Sequence, residues 1–247
     1  MSIKILIKIL INGFLKLFNL KINRITLSND FYFYIVKTLK NFKIDLLIDV
    51  GSNEGQFAKK IIEFGYTNQI ISFEPIKSIH KKLYENSKKY KNWTSKRLGF
   101  GKINSLKSIN ISQNSVSSSI LQIKKIHTEI EPHSKFVGKE KIRIIKLDNF
   151  LNKKKFSKKK IFLKIDTQGY EKNIILGSKK VLKQISCIML ELSLTPLYKN
   201  EASFFEMVNL LKKFGFKIWS IERGFADKTT GRVLQVDVIF INNNMKK

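Results

Sequence analysis

From residue 44 onward the chain alternates short apolar runs with longer amphipathic stretches. The runs fall at 44–50, 69–73, 93–98, 161–165, 187–192, 216–221 and 236–241. Helical spacing of apolar positions fills most of the gaps, at 54–64, 76–88, 170–184 and 203–214. A strand that is apolar at consecutive positions is one covered on both faces. Seven such strands separated by helices predict an α/β architecture with a mostly parallel, doubly wound sheet. Residues 102–160 break the rhythm with a Ser-rich turn at 112–119, a short strand at 141–147 and a Lys-rich loop at 153–160. They read as an insertion between strands three and four of the core, not as a domain of their own.

The first 27 residues follow a different rule. Lys4, Lys8, Asn12 and Lys16 recur every fourth position and make one polar stripe on a helix that is otherwise Ile, Leu and Phe. The lysines interrupt the roughly 18 uninterrupted apolar residues that a spanning helix wants, and no small-residue cleavage site follows. Such a helix suits the plane of a membrane interface, through residues 1–20. It suits equally a docked position on its own domain or on a second subunit. A second helix is expected over 28–40, capped by Ser28 or Asn29, so that residues 1–27 form one segment and 28–247 the main domain.

Composition adds charge. Net charge is +28, with 47 basic against 19 acidic residues, yet only Arg24, Arg97, Arg143, Arg223 and Arg232 are arginines. Readers of phosphate backbones recruit more of that planar fork. A gene rich in A and T would also supply the lysines, with three Ala and three Pro in the whole chain. Most lysine clusters fall where helices and loops return to strand starts, away from the strand ends that carry the acids. A nucleic-acid partner is therefore not expected. The single cysteine, Cys187, forbids an internal disulfide and fits a reducing cytoplasm.

The chemistry sits at the ends of the apolar runs. The first ends in Asp49-Val50-Gly51-Ser52-Asn53-Glu54-Gly55 and leads straight into a helix. Its glycines allow a sharp turn and close approach of a ligand, and the helix start offers free N–H groups. The next strand ends in Phe73-Glu74-Pro75, which places an acid to accept from two ribose hydroxyls. Together they predict a nucleoside site. The spacing departs from G-x-G-x-x-G, because the middle glycine is missing and Asn53-Glu54 crowd the pyrophosphate position. The fourth strand ends in Asp166-Thr167-Gln168-Gly169-Tyr170-Glu171 and the fifth in Glu191. Asp166 and Glu191 on neighbouring strand ends, with Glu171 in the following first turn, suit a general base and hydroxyl binding.

Asp-x-Gly-x-x-x-Gly with a later acid resembles the S-adenosylmethionine (SAM) site of class I methyltransferases. With the Ser117-Ser118-Ser119 turn, Leu147-Asp148-Asn149-Phe150, Lys164-Ile165-Asp166-Thr167-Gln168-Gly169-Tyr170-Glu171, Gly177, Phe214-Gly215-Phe216 and Val236-Asp237-Val238-Ile239-Phe240, the chain resembles the FkbM-type SAM-dependent methyltransferases over roughly 31–242. The resemblance implies a Rossmann-like fold and methyl transfer to a hydroxyl, often on a sugar of a glycolipid, polysaccharide or polyketide. It implies SAM held by Asp49, Gly51, Ser52, Asn53, Gly55, Glu74, Pro75 and Gly99, with Asp166 as the first candidate base, then Glu191, and Glu171 as an orienting partner. One departure shows, Phe100-Gly101 where such proteins often carry an acid. The expected enzyme is a SAM-dependent O-methyltransferase acting on a saccharide in the cytoplasm, at the inner face of the membrane if the first helix lies there. RNA or protein methylation is the alternative, as is a binding protein with a non-catalytic core.

Two weaker signals remain. His127, Glu129, Glu131 and His133 alternate, so an extended chain would point all four one way; a solvated lid loop, with no metal, is the favoured reading. His127 and His133 would be reserve bases if that loop folds over the site. His80, among lysines on a helix, is expected to face solvent.

Overall fold

The computed structural model describes residues 3–18, 20 and 22–243; the side chains of Lys4 and Lys155 lie outside that description, as do the two ends of the expected 1–27 and 28–247 segments at 1–2 and 244–247. The chain begins with α1 (Ile3–Lys16) and α2 (Phe31–Asn41). An α/β alternation follows through β1 (Leu46–Val50), α3 (Gln56–Glu63), β2 (Gln69–Phe73), α4 (Lys77–Ser87) and β3 (Trp93–Lys96). The insertion holds β4 (Gly99–Phe100), β5 (Ser105–Ser112), α5 (Lys125–Ile130), β6 (Phe136–Ile145) and α6 (Leu147–Leu151). The core resumes with β7 (Ile161–Ile165), α7 (Glu171–Leu176), β8 (Ile185–Ser193), α8 (Phe204–Lys213), β9 (Phe216–Arg223) and β10 (Gln235–Asn242).

Seven strands form one sheet in the order β3-β2-β1-β7-β8-β10-β9, parallel except for β10, which runs against both neighbours. β1 and β7 are buried at every residue because helices cover both faces. One face, with Leu46, Ile48, Val50, Leu163 and Leu190, packs on α7, α8 and the insertion. The other, with Leu47, Phe162 and Met189, packs on α2 and α3. The seven core strands fall where the apolar runs do.

The insertion is a second sheet, β4-β6-β5, in which β5 and β6 form a long antiparallel pair. It is pinned to the main sheet by Phe73, whose ring lies edge-on to Phe100 at 4.7 Å and to Phe150 at 5.0 Å. Such contacts add about 0.5–1.5 kcal/mol each beyond burial. The expected short strand at 141–147 is thus a ten-residue strand with an unforeseen partner. β3 stops at Lys96, short of the expected 98, because Gly99 and Phe100 pair with β6 instead.

Local corrections have local causes. Asp30, not Ser28 or Asn29, caps α2, accepting from the Phe33 amide at 2.8 Å. The helix expected over 170–184 ends at Leu176 because Gly177 lies against the 101–102 backbone, where a Cβ would stand 2.0 Å from the Gly101 carbonyl oxygen. A single 3-10 turn, Leu182–Gln184, precedes β8. In α1 the apolar side chains stay in water, with Leu10 at 68% and Phe14 at 64% exposure. In this structure the helix is not docked on its own domain. The polar stripe survives at Lys8, Asn12 and Lys16, and Asn12 ties the helix to the returning chain through both backbone groups of Ile22. Among the described residues no helix is long and apolar enough to cross a membrane.

Candidate active site

A cavity of about 420 Å³ opens at the carboxyl ends of β1, β2, β7 and β8, under the Ser-rich turn of the insertion. Its floor is the β1–α3 turn. The amides of Gly51 and Ser52 both donate to the Phe73 carbonyl, at 3.0 and 3.1 Å, which ties the turn to the end of β2. Gly51 has φ +74°, and a Cβ there would lie 1.8 Å from the Asp166 carbonyl oxygen. No side chain fits between the two loops. Asn53 also takes a left-handed backbone, φ +48°, and its side chain reaches up to Ser115 Oγ at 3.2 Å.

Glu74 closes the β2 side. It is 5% exposed, and its carboxylate accepts from the amides of Asn53 (3.2 Å) and Ile76 (2.9 Å). Burial raises its pKa to about 7, against the pull of those two amides. Ser52, Pro75 and Gly99 line the same wall, and the buried Ser52 hydroxyl has no hydrogen-bond partner among the described residues. Asp49 and Gly55, also expected at the cofactor, do not line the cavity. Asp49 lies beneath it, accepting from Ser72 Oγ at 3.0 Å. Gly55 is the left-handed residue that starts α3, hard against Trp93.

The opposite wall carries the acids. Asp166 accepts from Gln168 Nε2 at 2.9 Å and from Lys164 Nζ at 3.2 Å. The same Gln168 amide donates to Glu191 at 2.7 Å, and its oxygen accepts from the Tyr198 hydroxyl at 2.8 Å. The two carboxylates fix which way the amide faces, because both need its N–H groups. Glu191 also accepts from Gln235 at 3.0 Å and stands opposite Asp237 in the β8–β10 ladder. Burial, then the charges of Asp166 and Asp237, raise Glu191 well above the ordinary carboxylate range. Asp237 rises to about 7, first through burial and then through Asp166.

Glu171 is the exception among the expected catalytic acids. It is buried, does not line the cavity, and accepts from the Thr167 amide (2.8 Å) and hydroxyl (3.0 Å). Burial lifts it to about 7. It shapes the 167–170 loop from below.

Three lining residues escaped the sequence reading. Lys164, 6% exposed, lies inside the apolar run of β7 directly across from Asp49. Burial alone would lower its pKa, and Asp166 and Asp49 more than offset this, so it stays charged. Asp237 interrupts β10, and Gln168 takes a left-handed backbone, φ +54°. A charged residue within a fully buried strand was the available signal for the first two. Phe31 and Tyr32, at the start of α2, also reach the cavity.

The histidines lie elsewhere. His127 is in α5, not in an extended strand, packed on Tyr198 and Phe225 with its pKa pushed down to about 4 by burial. His133 is exposed, so the alternating quartet does not converge. His80 is half-buried rather than solvent-facing, with Nε2 enclosed and unpartnered.

The sequence profile of the methyltransferase FkbM domain matches residues 49–218, which spans the floor, both walls and the insertion. The chain belongs to the FkbM methyltransferase family. It is a SAM-dependent methyltransferase with a class I, Rossmann-like fold. Solved methyltransferase structures are similar at low identity. The SAH complex of TrmK from M. capricolum is 11% identical, covering 87% of this chain and 69% of that one, with a TM-score of 0.48. The SAM-bound magnesium protoporphyrin IX methyltransferase from Synechocystis PCC 6803 is 9% identical, covering 98% of each chain, with a TM-score of 0.45. No curated protein matches.

The residues present fit SAM. The glycine turn leaves no side chain between the two loops, Ser52 keeps a hydroxyl without a partner among the described residues, and Glu74 offers a carboxylate to the cavity.

Proposed function

We propose that this enzyme methylates a hydroxyl of a saccharide, within a surface-polysaccharide or glycolipid precursor. The observation that carries the reading is one wall: Asp166, Gln168 and Glu191, hydrogen-bonded to one another, line the same cavity as Phe31 and Tyr32. Carboxylates and an amide beside aromatic rings are suited to a polyhydroxylated ring. SAM, when bound, supplies an electrophilic methyl group. The hydroxyl needs in-line placement and removal of its proton. Asp166, its side chain 32% exposed, is the reachable carboxylate for that proton. Glu191 lies deeper and holds the acceptor through hydrogen bonds. Glu171 keeps the loop between them in place.

We also infer that the enzyme works at a membrane surface through α1. That helix shows water an apolar majority, and the first 27 residues contain five basic side chains and no acidic one.

Methyl-labelled SAM, incubated separately with saccharide, RNA and protein fractions of the source cells, tests the acceptor. The expected result is label in the saccharide fraction, released by acid hydrolysis as a methylated monosaccharide. Label confined to RNA or protein overturns the reading.

A further inference from the structure

We propose that Lys164 binds the carboxylate of the cofactor's amino-acid end. This rests on SAM being the cofactor and goes beyond it, by assigning a residue to one part of that molecule.

A lysine costs stability inside a sheet, and a well-packed apolar residue would serve a purely structural role at least as well. Lys164 is nevertheless kept at 6% exposure in β7, and it lines the cavity. Its ammonium lies 3.2 Å from Asp166 Oδ2 and 3.5 Å from Asp49 Oδ1, with the Phe57 ring 5.1 Å away. An ammonium has three donors. Asp166 takes one of them in a hydrogen bond and Asp49 faces the ammonium as an ion pair, which leaves a donor for a ligand.

Position supports the same assignment. Asp49 lies two residues before Gly51, and the Gly51 turn abuts the backbone of Asp166. Lys164 therefore sits beneath the point where the two cofactor-side loops meet. Phe57, in the first turn of α3, covers it from the helix side.

Calorimetry with three probes tests this: SAM, decarboxylated SAM, which lacks only the carboxylate, and 5′-methylthioadenosine, which lacks the amino-acid end. The intact protein is expected to bind SAM about 10- to 100-fold more tightly than decarboxylated SAM, as a charge-assisted hydrogen bond would give. Lys164→Met should compress that ratio to within about threefold, while affinity for the other two probes changes little. Because that variant strands two buried carboxylates, Asp49→Asn/Lys164→Met, which removes one charge of each sign, is read in the same way. Equal affinity of the intact protein for SAM and decarboxylated SAM overturns the assignment and leaves the cofactor reading standing. So does a variant that keeps the ratio, or one that weakens all three probes alike. Failure of all three probes to bind the intact protein overturns the cofactor reading, and the lysine's role with it.

Discussion

Gln168 holds Asp166 and Glu191 together through one side-chain nitrogen, 2.9 Å from the first carboxylate and 2.7 Å from the second. The two acids come from neighbouring parallel strands, β7 and β8. The amide lets them converge without bringing two bare charges into contact. Beyond it the Tyr198 hydroxyl lies 2.8 Å from the amide oxygen and 2.9 Å from the Ser117 carbonyl, next to the Ser-rich turn.

If Asp166 takes the acceptor's proton, Asp166→Asn keeps its shape and loses its basicity. Label transfer to the saccharide fraction should be abolished, while SAM affinity by calorimetry changes by less than about tenfold. Normal transfer by this variant would show that Asp166 is not the base. Loss of SAM binding would make it a cofactor residue.

Gly51→Ala should be among the most damaging single-methyl changes available. The new Cβ would meet the Asp166 carbonyl at 1.8 Å, on a backbone at φ +74°. A loss of about 2–4 kcal/mol is expected in thermal or urea unfolding, with SAM binding lost as the loops separate. Gly138→Ala, with nothing within 4 Å of its Cβ, is the matched control and should melt as the parent does. Equal melting of the two variants would contradict the close approach.

The core strands were legible because covering both faces of a sheet writes an apolar run into the sequence. The β5–β6 pair was not, because its strands keep one side in water and read as Ser- and Lys-rich loop. The turn of the site was legible from Gly51, whose type is dictated by backbone approach, and the neighbouring wall from the acid Glu74 at a strand end. Lys164 and Asp237 were missed because a strand reading treats a lone charge as noise, although a charge in a fully buried strand must have a partner or a ligand. Gln168 stood in the motif that carried the resemblance, but its role was not legible, since it depends on two loops and a tyrosine 30 residues away.

Glu171 gives a pH test with a definite sign. Its pKa is about 7 in the folded chain, against roughly 4.3 unfolded. Between those values the folded state keeps a proton that the unfolded state has released, so this group's contribution falls as pH rises. It is full below about pH 4 and gone above about pH 7. Glu171→Gln removes the titration, so melting curves from pH 5 to 8 should show the variant gaining on the parent by about 1–3 kcal/mol. A difference that is constant across the range would contradict the raised value.

Full-length protein should sediment with vesicles of phosphatidylcholine and phosphatidylglycerol, less so at high salt. Leu10→Glu/Phe14→Glu changes two exposed positions of α1, so the fold should be unaffected while vesicle binding is lost. Undiminished binding by that variant would remove α1 from the interface.

The most direct test of the account is calorimetric titration of the purified protein with SAM and with NAD, repeated on Glu74→Ala. The account requires SAM to bind and NAD to bind far more weakly, because the turn that ends β1 lacks the glycine a pyrophosphate needs. It also requires Glu74→Ala to weaken SAM by roughly 1–3 kcal/mol, the value of a charged hydrogen bond. Tight NAD binding, or SAM binding indifferent to Glu74, would contradict it.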